Sequence, residues 1–199
     1  MTDTWRQVRG LLVHAAVLGL VALVLLPVFY MLAMSFRSAT EIAEAPLALP
    51  REWAWGNYAR AFEAMNYGRS VLNSVGITVS VTVLTALLGS MAAYPLARNT
   101  GPLARGFILL VALGLATPNF VTITPIYVIF RDLGLLDTYP GIILAFTALN
   151  LPLAVFFYTG FIAAIPMELE EAARLDNCNN WQVFWHVIRP LLAPVTATL

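Results

Sequence analysis

The sequence contains no lysine, since all eleven of its basic residues are arginines. This absence excludes chemistry that needs an amine, such as a P-loop lysine on nucleotide phosphates or a Schiff-base lysine nucleophile. The single cysteine, Cys178, excludes an internal disulfide and a cysteine-rich metal site. The two histidines, His14 and His186, lie far apart and form no HExxH motif, which argues against zinc. We therefore expect no cofactor, no metal and no catalytic residues on this chain; if the protein uses ATP, another chain must hydrolyse it.

Charged side chains are also scarce. Only 11% of the 199 residues are charged, 60% are hydrophobic, and the mean hydropathy is +0.78. Soluble proteins carry about 25% charged residues, so this chain has roughly half of what a water-facing surface requires. The composition predicts an all-α membrane protein whose surface is largely covered by lipid.

Long apolar runs define the membrane-spanning segments. A bilayer core of about 30 Å needs about 20 apolar residues in a helix, and four stretches meet that length. These are Leu11–Met34, Val71–Tyr94, Phe107–Phe130 and Pro140–Ala164. The first is too long for the apolar part of a signal peptide, so we interpret it as a retained anchor. A short apolar tail at 190–199 is interpreted as the start of a fifth span, so that the chain is expected to be truncated at its C-terminus.

Arginines near the ends of the spans predict the orientation. Arg6 and Arg9 precede the first span, and Arg98 and Arg105 lie in a short loop without acids on the same side. By the positive-inside rule that side, including the N-terminus, is predicted to be cytoplasmic.

The interiors of the four stretches contain a single ionisable side chain, His14. It fits a helix-interface or near-headgroup residue or, alternatively, a proton relay. Ion-coupled carriers place acids or bases at membrane depth, so this composition argues against one. Pro118, Pro125 and Pro152 are predicted to interrupt the third and fourth stretches. The uncharged polar residues beside them either line a solute path or satisfy backbone carbonyls that the prolines leave free. The candidate path residues are Asn119, Thr122, Thr124, Thr147 and Asn150.

A polar stretch at 165–189 follows the fourth span. Glutamates near its start favour a helix there, and Asn177 is predicted to end that helix in the left-handed conformation. A small apolar face is predicted from Leu169, Ala172 and Ala173. Asn180 is predicted to cap a second helix whose apolar side carries Trp181, Phe184, Trp185 and Ile188. On composition alone this could be an amphipathic loop resting among lipid headgroups.

The same stretch resembles the EAA loop of ABC importer permeases. The residues that match that pattern in order and spacing are Glu171, Ala172, Ala173, Asp176, Phe184, Pro190, Leu191 and Pro194. Asn177 stands where the family usually has glycine, and Arg189 where leucine usually precedes the proline. Motifs elsewhere in the chain, such as Thr124-Pro125-Ile126-Tyr127, are similar to the maltose-type second permease of the carbohydrate-uptake branch.

This resemblance implies a single permease domain of the type I ABC importer fold, with four complete spans, the start of a fifth and a coupling loop at 165–190. The loop, including Asn177, would dock on a dimeric ABC ATPase that holds ATP and Mg. The other implied partners are a second permease subunit, a periplasmic or lipid-anchored solute-binding protein and membrane lipid, with no nucleic acid. The implied function is uptake of a sugar or sugar-like solute across the bacterial inner membrane. A facilitative or ion-coupled carrier and an inactive permease fragment are the alternatives.

Overall fold

The computed structural model describes residues 2–198, with the side chains of 9–118 and 120–198, and throughout this range the regular elements are helices. The chain divides between Val71 and Leu72 into two compact units. The helical content of the described residues agrees with the expected all-α class. The helices in chain order are α1 (Thr2–Ser35), α2 (Ala39–Glu44), α3 (Gly56–Ala64), α4 (Tyr67–Arg98), α5 (Pro102–Ala116), α6 (Asn119–Asp132), α7 (Tyr139–Ala164), α8 (Glu168–Leu175), α9 (Asn180–Val183), a π turn (Phe184–Ile188), α10 (Arg189–Leu191) and α11 (Ala193–Thr196).

The first unit joins the long apolar helix α1 to a loop that is held by aromatic and amide contacts. The ring of Phe36 packs against Trp53, Trp55 and Tyr58, with centroid distances of 4.9, 4.7 and 5.2 Å. The Asn57 side-chain amide donates to the backbone carbonyls of Ser35 and Arg37, at 3.0 and 2.9 Å. These contacts give the 35–58 loop a defined conformation although its regular structure is limited to α2 and the start of α3.

In the described part of the chain, three single helices are long and apolar enough to cross a membrane, namely Arg9–Ser35 within α1, α4 and α7. The third predicted span, 107–130, is not one helix as expected, because the chain breaks between α5 and α6. The chain bends by 105° between these two helices, and only together are they long and apolar enough to cross a membrane. The break lies at Thr117 and Pro118, both with extended backbone. A proline disfavours helical conformation in the residue before it, which explains a break at this point.

The other prolines in the apolar stretches do not break their helices. Pro125 lies inside α6 and Pro152 inside α7, and α4 continues through Pro95 to Arg98. The prediction that Pro125 and Pro152 interrupt spans is therefore wrong, because tertiary packing can stabilise a helix despite the backbone hydrogen bond that each proline removes. The loop predicted to hold Arg98 and Arg105, at 95–106, is therefore shorter than expected. It comprises only residues 99–101, because α4 continues through Pro95.

The core of the second unit forms where α4 and α7 approach each other closely. Gly89 and Ala93 on α4 are small residues four apart, a spacing that lets helices approach closely, and Ala93 and Ala154 are fully buried. A Cβ atom placed on Gly89 would lie 2.8 Å from the Cβ of Ala154. The two helices can therefore pack at this distance only with glycine at position 89.

We expect Gly89→Ala to lower the free energy of unfolding by about 1–3 kcal/mol, because the added methyl group forces α4 and α7 apart. Thermal unfolding of the purified protein in detergent measures the change. Gly76→Ala on the same helix is the matched control, since a Cβ there meets nothing within 4 Å. Equal stability of the two variants would contradict a close α4–α7 contact at Gly89.

Candidate functional site

The segment that follows α7 folds as a short helix, a tight turn and a second helix. α8 begins at Glu168 with three acids in its first turn, where they interact favourably with the helix dipole. Asn177 has φ of 63°, which confirms the predicted left-handed position. The amide of Cys178 donates to the carbonyl of Ala173 and that of Asn177 to Arg174, both at 3.0 Å. This pair of hydrogen bonds is the Schellman arrangement that ends a helix.

Glu170 anchors α8 to the ends of the two long helices α4 and α7. Its side chain is fully buried, and Oε1 accepts from Nε of Arg98 at 2.7 Å. Oε2 accepts from the hydroxyl of Tyr94 at 2.8 Å and lies 3.5 Å from the guanidinium of Arg174. A second nitrogen of Arg98 donates to the backbone carbonyl of Ile165 at 2.9 Å, at the end of α7. One carboxylate and one guanidinium thus link three helices.

Sequence reasoning missed this network. The sequence pattern places Arg98 in a short loop, where it indicates orientation, and relates Glu170 only to the helix dipole. The partners are separated by 72 residues, so no local pattern connects them. A usable signal was the position of Glu170 three residues before Ala173, because those two positions share one face of a helix.

The buried side of α8 differs from the predicted apolar face. Ala173 packs into the core, whereas Leu169 is 45% exposed and Ala172 is also exposed. The predicted apolar face is thus divided: Leu169 and Ala172 remain exposed, whereas Ala173 and Glu170 face the core. The outer surface of α8 therefore presents Glu171 and Ala172.

The second helix is capped one residue earlier than predicted. The side chain of Asn179, not Asn180, accepts from the amide of Gln182 at 2.9 Å, and the Gln182 side chain accepts from the Asn179 amide at 2.8 Å. This reciprocal pair is a capping box. The prediction that Asn180 is the cap is wrong. Gln182 lies three residues after Asn179, the spacing that a capping box requires.

The aromatic helix is only partly an exposed surface. Phe184 and Ile188 are buried in the core, together with Val183, which the sequence reading missed. Trp181 is 57% exposed, and Trp185 is half-buried. The predicted apolar side therefore packs mostly within this chain.

A π turn carries the helix towards Pro190. The amide of Arg189 donates to the carbonyl of Phe184, five residues back. Proline cannot donate a backbone hydrogen bond and its ring crowds the preceding turn, which a wider turn relieves. Pro190, Leu191 and Pro194 follow with exposed side chains.

The predicted path residues lie on two helices. Asn150 on α7 lines a recess of about 180 Å³, and its side-chain amide donates to the carbonyl of Phe146 at 2.8 Å. Thr147 is buried, and its hydroxyl has no hydrogen-bond partner in the described part of the chain. Thr122 and Thr124 lie on α6, and neither lines that recess. The side chain of Asn119 lies outside the described residues.

The electrostatics of the segment are those of a docking surface. Exposed carboxylates on α8 stand above the fully buried Glu170, and Asp176 is exposed at the end of the helix. Among the side chains of residues 9–118 and 120–198 there is no group of three or more His, Cys, Asp or Glu that could hold a metal ion. The segment therefore carries negative charge on its exposed side and is held to α4 and α7 on its buried side.

Comparisons with known proteins give consistent matches. The family model described as "Binding-protein-dependent transport system inner membrane component" matches residues 85–199. The diacetylchitobiose uptake system permease protein NgcG of Streptomyces coelicolor is 37% identical over 94% of this chain and 62% of its own length. The trehalose transport system permease protein SugB of Mycobacterium tuberculosis is 36% identical over 88% of this chain and 64% of its own length. The chain therefore spans a little less than two thirds of these relatives.

A solved structure shows a similar fold. It is the crystal structure of a bacterial ABC transporter involved in the import of the acidic polysaccharide alginate. One of its chains matches with a TM-score of 0.77 and 28% sequence identity, over 94% of this chain and 66% of that one.

Proposed function

The chain belongs to the family of inner membrane components of binding-protein-dependent transport systems, and from that premise we propose that it is a permease subunit of an ATP-driven importer for a sugar or sugar-like solute. Relatives named as permeases for diacetylchitobiose and trehalose support this substrate class. In this proposal the chain itself is not an enzyme and carries no cofactor, and ATP and Mg bind to a separate ATPase.

The observation that carries the proposal is the way α8 is held. Glu170 fixes one side of the helix to α4 and α7 through Arg98, while Glu171 and Ala172 remain exposed on the other side. A helix that is rigid on one side and charged on the other can transmit the movement of a docked ATPase to the long helices. We propose that the EAA loop, 165–190, is this ATPase-docking element.

Within that element the exposed and buried matching residues have different roles. Glu171, Ala172, Asp176 and Leu191 are exposed and available to a partner, whereas Ala173 and Phe184 hold the loop against the core. Asn177 sets the turn through its positive φ, so its side chain does not need to contact the ATPase.

The membrane arrangement is proposed on the same basis. α1, α4, the α5–α6 pair and α7 form four complete spans, and the helices from Arg189 onward begin a fifth. Arginines at 6, 9, 98 and 105 favour a cytoplasmic N-terminus in the bacterial inner membrane. The EAA loop then also lies on the cytoplasmic side, where an ATPase is accessible.

The proposed partners are a second permease, a dimeric ABC ATPase, an external solute-binding protein and membrane lipid. The predicted path residues Thr122, Thr124, Thr147, Asn150 and Asn119 remain candidates for solute contact. Asn150 has the strongest support, because it lines a recess on the inner side of α7 together with residues of α4.

Reconstitution of the complete transporter in vesicles tests the function. We expect uptake of a sugar that requires ATP and the binding protein, because the proposed importer is driven by ATP hydrolysis on a separate ATPase. Uptake without ATP would instead indicate a facilitative carrier, and ATP-independent uptake driven by an ion gradient would indicate an ion-coupled one.

We expect Glu171→Lys to lower solute-stimulated ATPase activity by about tenfold, because it replaces a charge-assisted contact with repulsion at the docking surface. The measurement is ATP hydrolysis by the reconstituted complex with and without solute and binding protein, alongside co-purification of the ATPase.

Glu168→Lys is the matched control, since it reverses the same charge at another exposed position of α8. A similar loss in both variants would show a general effect of surface charge. Normal stimulation in Glu171→Lys would refute Glu171 as the docking contact, and rescue by a reversed charge on the ATPase would identify its partner.

A further inference from the structure

Two adjoining recesses form a groove along α4. The groove shares Trp185 and Arg189 with the EAA loop, but it includes none of the exposed docking residues and no part of the Glu170 network. The first, about 180 Å³, lies between α4 and α7, and the second, about 330 Å³, lies between α4 and the segment that contains the π turn. Both are lined by Thr82, Ala86 and Thr196, so they are continuous.

The middle of the groove is polar but uncharged. Thr82 and Thr85 lie near the centre of the 32-residue helix α4, and Asn150 lies near the centre of α7. The hydroxyl of Thr85 is buried and has no hydrogen-bond partner in the described part of the chain. Asn150 uses its amide nitrogen towards Phe146, which leaves its oxygen as an acceptor. Groups of this kind bind the hydroxyls of a sugar.

The end of the groove nearer Arg98 carries a cation. The guanidinium of Arg189 lies 4.6 Å from the centre of the Trp185 ring, so its face is stacked and its N–H edges remain available. The indole N–H of Trp185 is buried and lacks a hydrogen-bond partner among the described residues. Both side chains line the larger recess.

No acid balances this arginine within the described chain. The ion pairs of residues 9–198 involve Arg98, Arg131 and Arg174 but not Arg189. Neither recess is lined by a described carboxylate. Arg189 is exposed at the edge of the groove, so its N–H groups are accessible to a ligand that brings its own negative charge.

We propose that this groove binds an acidic sugar, with the anionic group at Arg189 and Trp185 and the hydroxyls at Thr85 and Asn150. The inference rests on the proposed function, since it names the class of solute that the importer carries. It also makes Arg189 a specificity-determining residue, at a position where the sequence departs from the usual EAA pattern.

Uptake of matched sugars by the assembled transporter with its binding protein tests the proposal. The two probes are disaccharides that differ only in a glucose or a glucuronic acid unit. We expect ATP-dependent uptake of the acidic sugar, and Arg189→Gln should lower it by about tenfold or more, the loss typical of a charge-assisted hydrogen bond. Arg189→Lys keeps the charge without the planar fork and should retain an intermediate rate.

Two further variants separate ligand binding from general effects. Arg105→Gln removes an exposed arginine of α5 that lines neither recess and should leave uptake of the acidic sugar unchanged. Thr85→Val keeps the shape of its side chain and removes only the hydroxyl, and it should lower uptake several-fold by leaving a sugar hydroxyl unpaired.

The outcomes distinguish this inference from the proposed function. ATP-dependent uptake of neutral sugars alone, or equal effects of Arg189→Gln and Arg105→Gln, would overturn the acidic-sugar site and leave the importer intact. A loss in Arg189→Gln that affects both sugars and follows the anionic-lipid content of the vesicles would assign Arg189 to a lipid headgroup instead. Absence of any ATP-dependent uptake would refute the importer itself.

Discussion

Replacing Arg98 with leucine should lower the free energy of unfolding by about 3 kcal/mol, the lower end of the range for breaking a buried ion pair. The loss arises because the fully buried Glu170 carboxylate keeps only the Tyr94 hydroxyl and the more distant Arg174. The carbonyl of Ile165 loses its donor as well. Thermal unfolding of the purified permease complex measures the stability, and solute-stimulated ATPase activity shows whether α8 still transmits movement.

A double variant separates the cost of burying an unpaired charge from the loss of the contacts that hold α8 to α4 and α7. In Arg98→Leu combined with Glu170→Leu no unpaired charge is buried, so stability should recover, since apolar replacements of buried ion pairs are often neutral. Coupling should remain impaired, because the hydrogen bonds that join α8 to α4 and α7 are gone. If the single Arg98→Leu variant is as stable as the parent protein, the described network does not contribute to stability.

Replacing Gly141 with alanine should cost more than about 3 kcal/mol, because the added Cβ would lie 2.1 Å from the carbonyl oxygen of Leu135. Backbone, not a flexible side chain, occupies that space, so the turn between α6 and α7 must rearrange. The hydroxyl of Thr138 caps α7 by accepting from the Gly141 amide at 3.1 Å and donates to the same Leu135 carbonyl at 2.8 Å. The substitution therefore disrupts the cap and the turn together.

Gly160→Ala on the same helix is the matched control for this substitution. A Cβ there meets nothing within 4 Å, and alanine is the better helix former, so stability should be unchanged or higher by up to about 1 kcal/mol. The measurement is the yield of folded protein from membranes and its unfolding temperature in detergent. Similar yields for the two variants would contradict the tight α6–α7 turn.

Composition and hydropathy predicted the helical class and three of the long helices, because lipid imposes length and polarity on every spanning segment. The same reasoning treated Phe107–Phe130 as one helix, since hydropathy averages over a break. Pro118 marked the actual break, whereas Pro125 and Pro152 lie in continuous helices. Packing against neighbouring helices decides between these outcomes, and a single sequence does not contain that information.

Local sequence patterns predicted some features of the site but not its long-range contacts. The positive φ of Asn177 follows from the side-chain preferences of asparagine, which operate within a few residues. The Glu170–Arg98 contact depends on which face of α8 meets α4, so it could not be derived from spacing. The roles of the EAA residues remain predictions, because docking concerns a surface whose partner is a different chain.

The contacts of Glu170 also have a mechanical consequence. At 1.5 Å per residue the 32-residue helix α4 is about 48 Å long, and Arg98 is its last residue. A force applied to α8 therefore acts on one end of α4, where it produces the greatest torque on that helix. A small displacement of α8 would therefore tilt the whole helix, without a flexible relay between Arg98 and the other end of α4.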